Sequence, residues 1–198
     1  MLPWQFFSAA LAESGNSLVN NNNLISKVYF PRLIVPASSV ITSFVDFLIS
    51  AVFLAVLMLC FRFAPPLTVC FLPFFILLTI GASFGAGLWI SALMVKYRDF
   101  RFIVPFMVQF GLYAAPVITK TSWIPEVWHA HHCAIPARLL YSLNPMVGII
   151  DGFRWCLLGG ENQIYAPGLA AAVIGTGLLM ATGIWYFRRT EKTFADVI

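Results

Sequence analysis

The chain has 198 residues, 60% of them hydrophobic and only 10% charged, with a mean hydropathy of +0.86. A soluble fold cannot bury that much apolar surface, so a water-soluble enzyme or binding domain is excluded and an integral membrane protein is indicated. The net charge of +4 comes from basic residues scattered in small groups between apolar runs, a pattern that fits membrane topology and argues against nucleic acid.

Uncharged apolar stretches fall at 1–12, 36–61, 67–95, 102–118 and 168–187. Crossing a hydrocarbon core of about 30 Å takes about 20 helical residues at about 1.5 Å each. The first stretch, MLPWQFFSAALA, is too short to cross alone and lacks the basic start of a signal peptide, so it reads as the end of a span. The runs show no dyad alternation or regular hairpin turns, which sets β-barrels aside. The predicted fold class is all-α: one polytopic transmembrane domain over 1–198, with about five membrane segments and an outer re-entrant or interfacial helix.

In the 36–61 span, Asp46 is the acidic residue inside a clear hydrophobic run, where an unpaired charge is costly, so it must face protein or water. It reads either as a proton or substrate site or as an interhelical hydrogen-bond partner for Ser50 or Gln109. Gly81 and Gly85 form a GxxxG-like pair, joined by Gly87, and predict close helix contact in the 67–95 span. The 102–118 run contains Pro105, Gln109, Gly111 and Pro116 and predicts either a broken, re-entrant helix or a kinked span.

The connector at 119–167 holds a second apolar piece, LLYSLNPMVGIIDGFRWCLLG at 139–159. Asp151 and Arg154 are three apart, on one helical face opposite much of the Ile, Val and Trp content. This suits an amphipathic helix at the outer interface, or a loop helix packed on the bundle. His129, His131, His132 and Cys133 have poor spacing for a metal, so no metal site is expected. Cys60 with Cys70, and Cys133 with Cys156, leave disulfides or free thiols open. Trp4, Trp123, Trp128, Trp155 and Trp185 lie near predicted span ends, as in an aromatic belt. No GxxxxGK[ST] loop is present, so ATP is not expected to bind here.

With the first segment running inward, Lys27, Arg32, Lys96, Arg98, Arg101, Arg188, Arg189 and Lys192 fall in the cytoplasm, and Arg62, Lys120, Arg138 and Arg154 outside. The positive-inside rule favours that orientation and a cytoplasmic C-terminus.

LISKVYFPRLIVP at 24–36, KYRD at 96–99, LNPM followed by IIDGFRW at 143–155, and a terminal YFRRTEKTFADVI occur in one order. Together they closely resemble the permeases of type-2 ABC exporters for bacterial polysaccharides, which export O-antigen, capsule and teichoic acid chains. The resemblance runs over essentially the whole chain. It implies a subunit that pairs with a second copy of itself and two cytoplasmic ATPase subunits, which bind ATP and magnesium. The substrate implied is an undecaprenyl-diphosphate-linked glycan crossing the bacterial inner membrane. The resemblance implies six spans in relatives, and on that pattern this chain is expected to start inside the second. Its outer connector also carries about ten extra residues against the pattern of relatives.

By the same resemblance, 24–32 is a cytoplasmic coupling segment that docks in a groove of the ATPase, with Leu24, Val28, Tyr29 and Phe30 as apolar anchors and Lys27 and Arg32 as charges. An interfacial helix snorkelling its basic side chains to anionic lipid is the alternative. Tyr97, Arg98, Asp99 and Arg101 are placed near the inner mouth, where arginine forks suit the lipid diphosphate, or they act as topology determinants. Asn144, Pro145, Asp151, Arg154 and Trp155 belong to the outer gate helix. Sugar rings pack on aromatic faces, and the aromatic content of 16% fits both a glycan conduit and an interface belt. A secondary transporter would want inverted repeats, and an enzyme on lipid-linked sugars convergent acids or metal ligands; both rank below the permease.

Overall fold

The structure is a computed structural model that describes residues 1–21, 31–117, 141–159, 165–191 and 194. Every element among them is helical. α1 spans Leu2–Asn20, α2 Ile34–Cys60, and α3 Leu72–Lys96 after a 3-10 turn at Leu67–Phe71. α4 spans Phe100–Ala114, α5 Pro145–Leu158 and α6 Ala166–Thr190.

Among the described residues, three helices are long and apolar enough to cross a membrane: α2, α3 with its leading turn, and α6, at 27, 30 and 25 residues. The count falls short of the expected segments because of α1 and α4. The apolar run of α1 stops at Ala12, but the helix continues through Glu13 to Asn20, aided by Asn16 and Asn21 amides that donate to the Ala12 and Ser17 carbonyls at 2.9 and 2.8 Å. α4 has 15 residues, a rise of about 22 Å against a core of about 30 Å. It passes through Pro105 unbroken and ends where Pro116 forces Ala115 into an extended conformation.

α3 is the central helix, with α1, α2, α4, α5 and α6 all packed on it. Its buried residues include Ala82, Ser83, Gly85, Gly87, Ser91 and Ala92, small side chains that let neighbouring backbones approach. Gly81 and Gly85 face α6, whereas Gly87 faces α1, where a Cβ would come within 2.6 Å of the Ser14 hydroxyl oxygen. The glycine pattern therefore serves two neighbours from two faces of one helix. Between α1, α2, α3 and α5 lies an aromatic core of Phe6, Phe47, Phe75 and Phe153.

The bundle has two unlike ends. One, the basic end, gathers Arg32, Lys96, Arg98, Arg101, Arg188 and Arg189. The other carries Arg62, the 3-10 turn and α5. α5 packs its Met146, Ile149, Ile150 and Phe153 face into the protein, against α3 and α6.

Candidate functional site

At the basic end, Leu24, Lys27, Val28, Tyr29 and Phe30 lie outside the described residues. Arg32 lies within them, and its guanidinium donates to the backbone carbonyl of Glu191 just past the end of α6. Tyr97, Arg98 and Asp99 form the exposed turn from α3 to α4, and Arg101 is exposed in the first turn of α4. Lys96 Nζ lies 5.2 Å from the Tyr97 ring centre, and Tyr97 lies 6.1 Å from Phe100. These residues leave positive charge open at the mouth of the bundle, near where Trp185 stacks under Arg189 at 5.4 Å.

Halfway along the bundle, Asp46 is exposed on α2 and lines an open recess of about 120 Å³ with Gln5, Ser43 and Ser50. The Ser50 hydroxyl donates to the Asp46 backbone carbonyl at 2.9 Å, an ordinary helical back-bond that leaves the carboxylate out of it. Gln109 is exposed on α4, which packs on α1 and α3. Asp46 and Gln109 are not joined by a hydrogen bond.

Glu13 belongs to the same polar seam, because Ser43 donates to its carboxylate across the α1–α2 contact at 2.9 Å. Reading charges as boundaries hides Glu13, which looks like the start of a connector. Its spacing of four from Ala9 and eight from Gln5 is the signal that places all three on one helical face.

α4 buries only Val104. Phe102, Phe106, Phe110 and Tyr113, spaced at helical intervals, are 80%, 61%, 58% and 73% exposed. On the opposite side, the Trp4 ring lies over Gly111, so Trp4 is a packing residue and only 6% exposed, not a belt anchor.

At the end opposite the basic one, Asn144 Oδ1 accepts from the Met146 backbone N–H at 3.1 Å and caps α5, while Pro145 supplies its first turn. Arg154 Nη1 lies 3.8 Å from the Asp151 carboxylate, and Nη2 donates to the Val117 carbonyl at 3.0 Å, tying α5 to the chain just past α4. Trp155 packs on Phe71 at 5.6 Å, and the Thr68 hydroxyl donates to the Trp155 carbonyl at 3.2 Å. Burial, then the nearby Asp151 carboxylate, raises the Tyr141 phenol above its ordinary pKa. Burial also raises the Cys156 thiol, so it stays protonated and unreactive. Cys60 and Cys70 are free and exposed, while the histidine cluster and Cys133 lie outside the described residues.

Apolar helices around a central small-residue helix, with polar groups kept to the ends and one seam, define a multi-pass membrane protein. The chain belongs to the ABC-2 type transporter family, whose sequence pattern matches residues 1–158, and members of that family are transport permeases. It is 25% identical over 198 residues to the O-antigen export system permease protein RfbA of Myxococcus xanthus, covering 100% of this chain and 73% of that relative. It is 22% identical over 205 residues to the protein of the same name from Klebsiella pneumoniae, again with 100% and 73% coverage.

Proposed function

We propose that this chain is the membrane-spanning subunit of an ATP-driven exporter that moves a lipid-linked, O-antigen-like polysaccharide across the bacterial inner membrane. The observation that carries the proposal is the similarity, along the whole of this chain and 73% of each relative, to O-antigen export permeases, together with membership of the ABC-2 type transporter family. The partners proposed are a second copy of the chain and two cytoplasmic ATPase subunits, with an undecaprenyl-diphosphate-linked glycan as cargo.

The basic end faces the cytoplasm in this proposal, in keeping with the positive-inside rule. The 24–32 segment then meets the ATPase through Leu24, Lys27, Val28, Tyr29 and Phe30, and Arg98 and Arg101 meet the lipid diphosphate through guanidinium forks. The exposed aromatic face of α4 is assigned to the glycan path, because sugar CH faces pack on aromatic rings and an otherwise bare helix this short needs protein around it. Asp46, Glu13 and Gln5 line a separate polar seam between α1 and α2, where water or protein must meet the carboxylates. α5, with Asn144, Pro145, Asp151, Arg154 and Trp155, covers the outer mouth.

The test is purification of the tagged protein from its host membrane in mild detergent, followed by mass spectrometry of what comes with it. Recovery of a Walker-motif ATPase in near-equal amount is the expected result. A preparation that never contains an ATPase, in any gentle detergent, would remove the proposal.

A further inference from the structure

Arg32 sits at the end of the segment assigned to the ATPase, yet its side chain turns into the bundle. The guanidinium donates to the Glu191 carbonyl at the C-cap of α6, where helix carbonyls lack partners within the helix and carry the negative end of the helix dipole. A charged donor on such a carbonyl is stronger than a neutral hydrogen bond. The contact is backed by one cluster in which Leu18 of α1, Val35 of α2, Leu88 and Val95 of α3, Phe187 of α6 and Phe194 are all buried. Phe187 and Phe194 meet edge to face at 5.5 Å.

From that point α6 is locked along its length. A Cβ on Gly183 would lie 2.4 Å from the Gly85 carbonyl oxygen, so α6 and α3 touch backbone to backbone. Just beyond, Trp89 stacks on Tyr186 at 4.4 Å with an interplanar angle of 8°, and its indole N–H donates to Thr182 at 3.1 Å. At the far end a Cβ on Gly148 of α5 would meet the Gly168 carbonyl oxygen at 2.6 Å and the Ala172 Cβ at 2.7 Å. Contacts between backbones have no flexible side chain to absorb a displacement, so a push at one end of α6 is passed on rather than taken up.

We infer that Arg32 is a positioning residue that fastens the start of α2 to the C-terminal end of α6, so that motion imposed on residues 24–32 drives α6 and, through it, the outer helix α5. The inference rests on the exporter proposal above, and it takes Arg32 away from the ATPase groove in which the sequence pattern placed it. Phe30 and its neighbours keep that contact, and Arg32 carries its motion inward.

The experiment uses the permease–ATPase complex in lipid nanodiscs, with Cys60, Cys70 and Cys133 replaced by serine and Leu158→Cys, at the exposed end of α5, as the reporter. Maleimide labelling rates are compared with and without a non-hydrolysable ATP analogue. In the otherwise unchanged complex the rate is expected to depend on nucleotide. Arg32→Ala is expected to keep the ATPase bound and hydrolysing but to lose that dependence. Arg32→Lys, which keeps charge at the helix end without the fork, guards against simple unfolding; it should assemble and retain a smaller dependence. Full nucleotide dependence in Arg32→Ala overturns the inference while the exporter proposal stands. Loss of the ATPase from both variants also overturns it, because it returns Arg32 to the groove. A parent complex that holds no ATPase would instead bring down the exporter proposal, and the inference with it.

Discussion

Gly85 is a residue whose replacement should be costly, because a Cβ there would come within 2.7 Å of the Leu179 and Met180 backbones. Those atoms can move only by separating α3 from α6. Gly85→Val is expected to lower stability by more than the usual overpacking cost of about 1–3 kcal/mol. Gly177→Ala, with nothing within 4 Å of the added carbon, should be neutral or slightly stabilising. Thermal unfolding of the purified variants in detergent compares the two, and equal melting temperatures would refute the close-contact account. Arg154 is a second such point, for a polar reason. Removing its side chain leaves the Val117 carbonyl unpaired and Asp151 without its cation, so Arg154→Ala should cost about 1.5–3 kcal/mol. Hydrogen exchange over 141–158 should rise in that variant; protection equal to the parent's would show that the bond does not hold α5 in place.

At the scale of elements, α4 and α5 behave in opposite ways. α4 keeps its aromatic face outward, so truncating Phe106 and Phe110 together should leave the melting temperature close to the parent's yet reduce glycan export. A normal level of surface glycan in the Phe106→Ala, Phe110→Ala double variant would take the glycan path away from this helix. α5, by contrast, is held by packing on every side but one. The sequence makes α2, α3 and α6 legible because each is an uninterrupted apolar run longer than a bilayer core. α1 is misjudged at its end because Glu13 and Asn16 look like a connector, whereas the helix simply carries them on a face turned to α2 and solvent. The Asn144-Pro145 start of α5 and the Asp151–Arg154 pair are local and can be seen in the sequence. The bonds from Arg154 to Val117 and from Arg32 to Glu191 join residues 37 and 159 positions apart, and no local pattern encodes them. Nor does composition say which side of α4 is bare.

For the molecule as a whole, orientation and transport are the open quantities, and the free thiols give a direct reading of the first. Cys60 and Cys70 are exposed at the end away from the basic residues, and Cys156 is buried at that same end with its thiol held protonated. In intact cells, with Cys133 replaced by serine, a membrane-impermeant maleimide should therefore label Cys60 and Cys70 and spare Cys156. Labelling only after the cells are opened would reverse the orientation. Export itself is tested by deleting the gene in its host and following the lipid-linked glycan on both faces of the inner membrane. Loss of surface glycan with accumulation of its lipid-linked form inside, reversed when the gene is restored, is the predicted result; undiminished surface glycan in the deletion strain would contradict it.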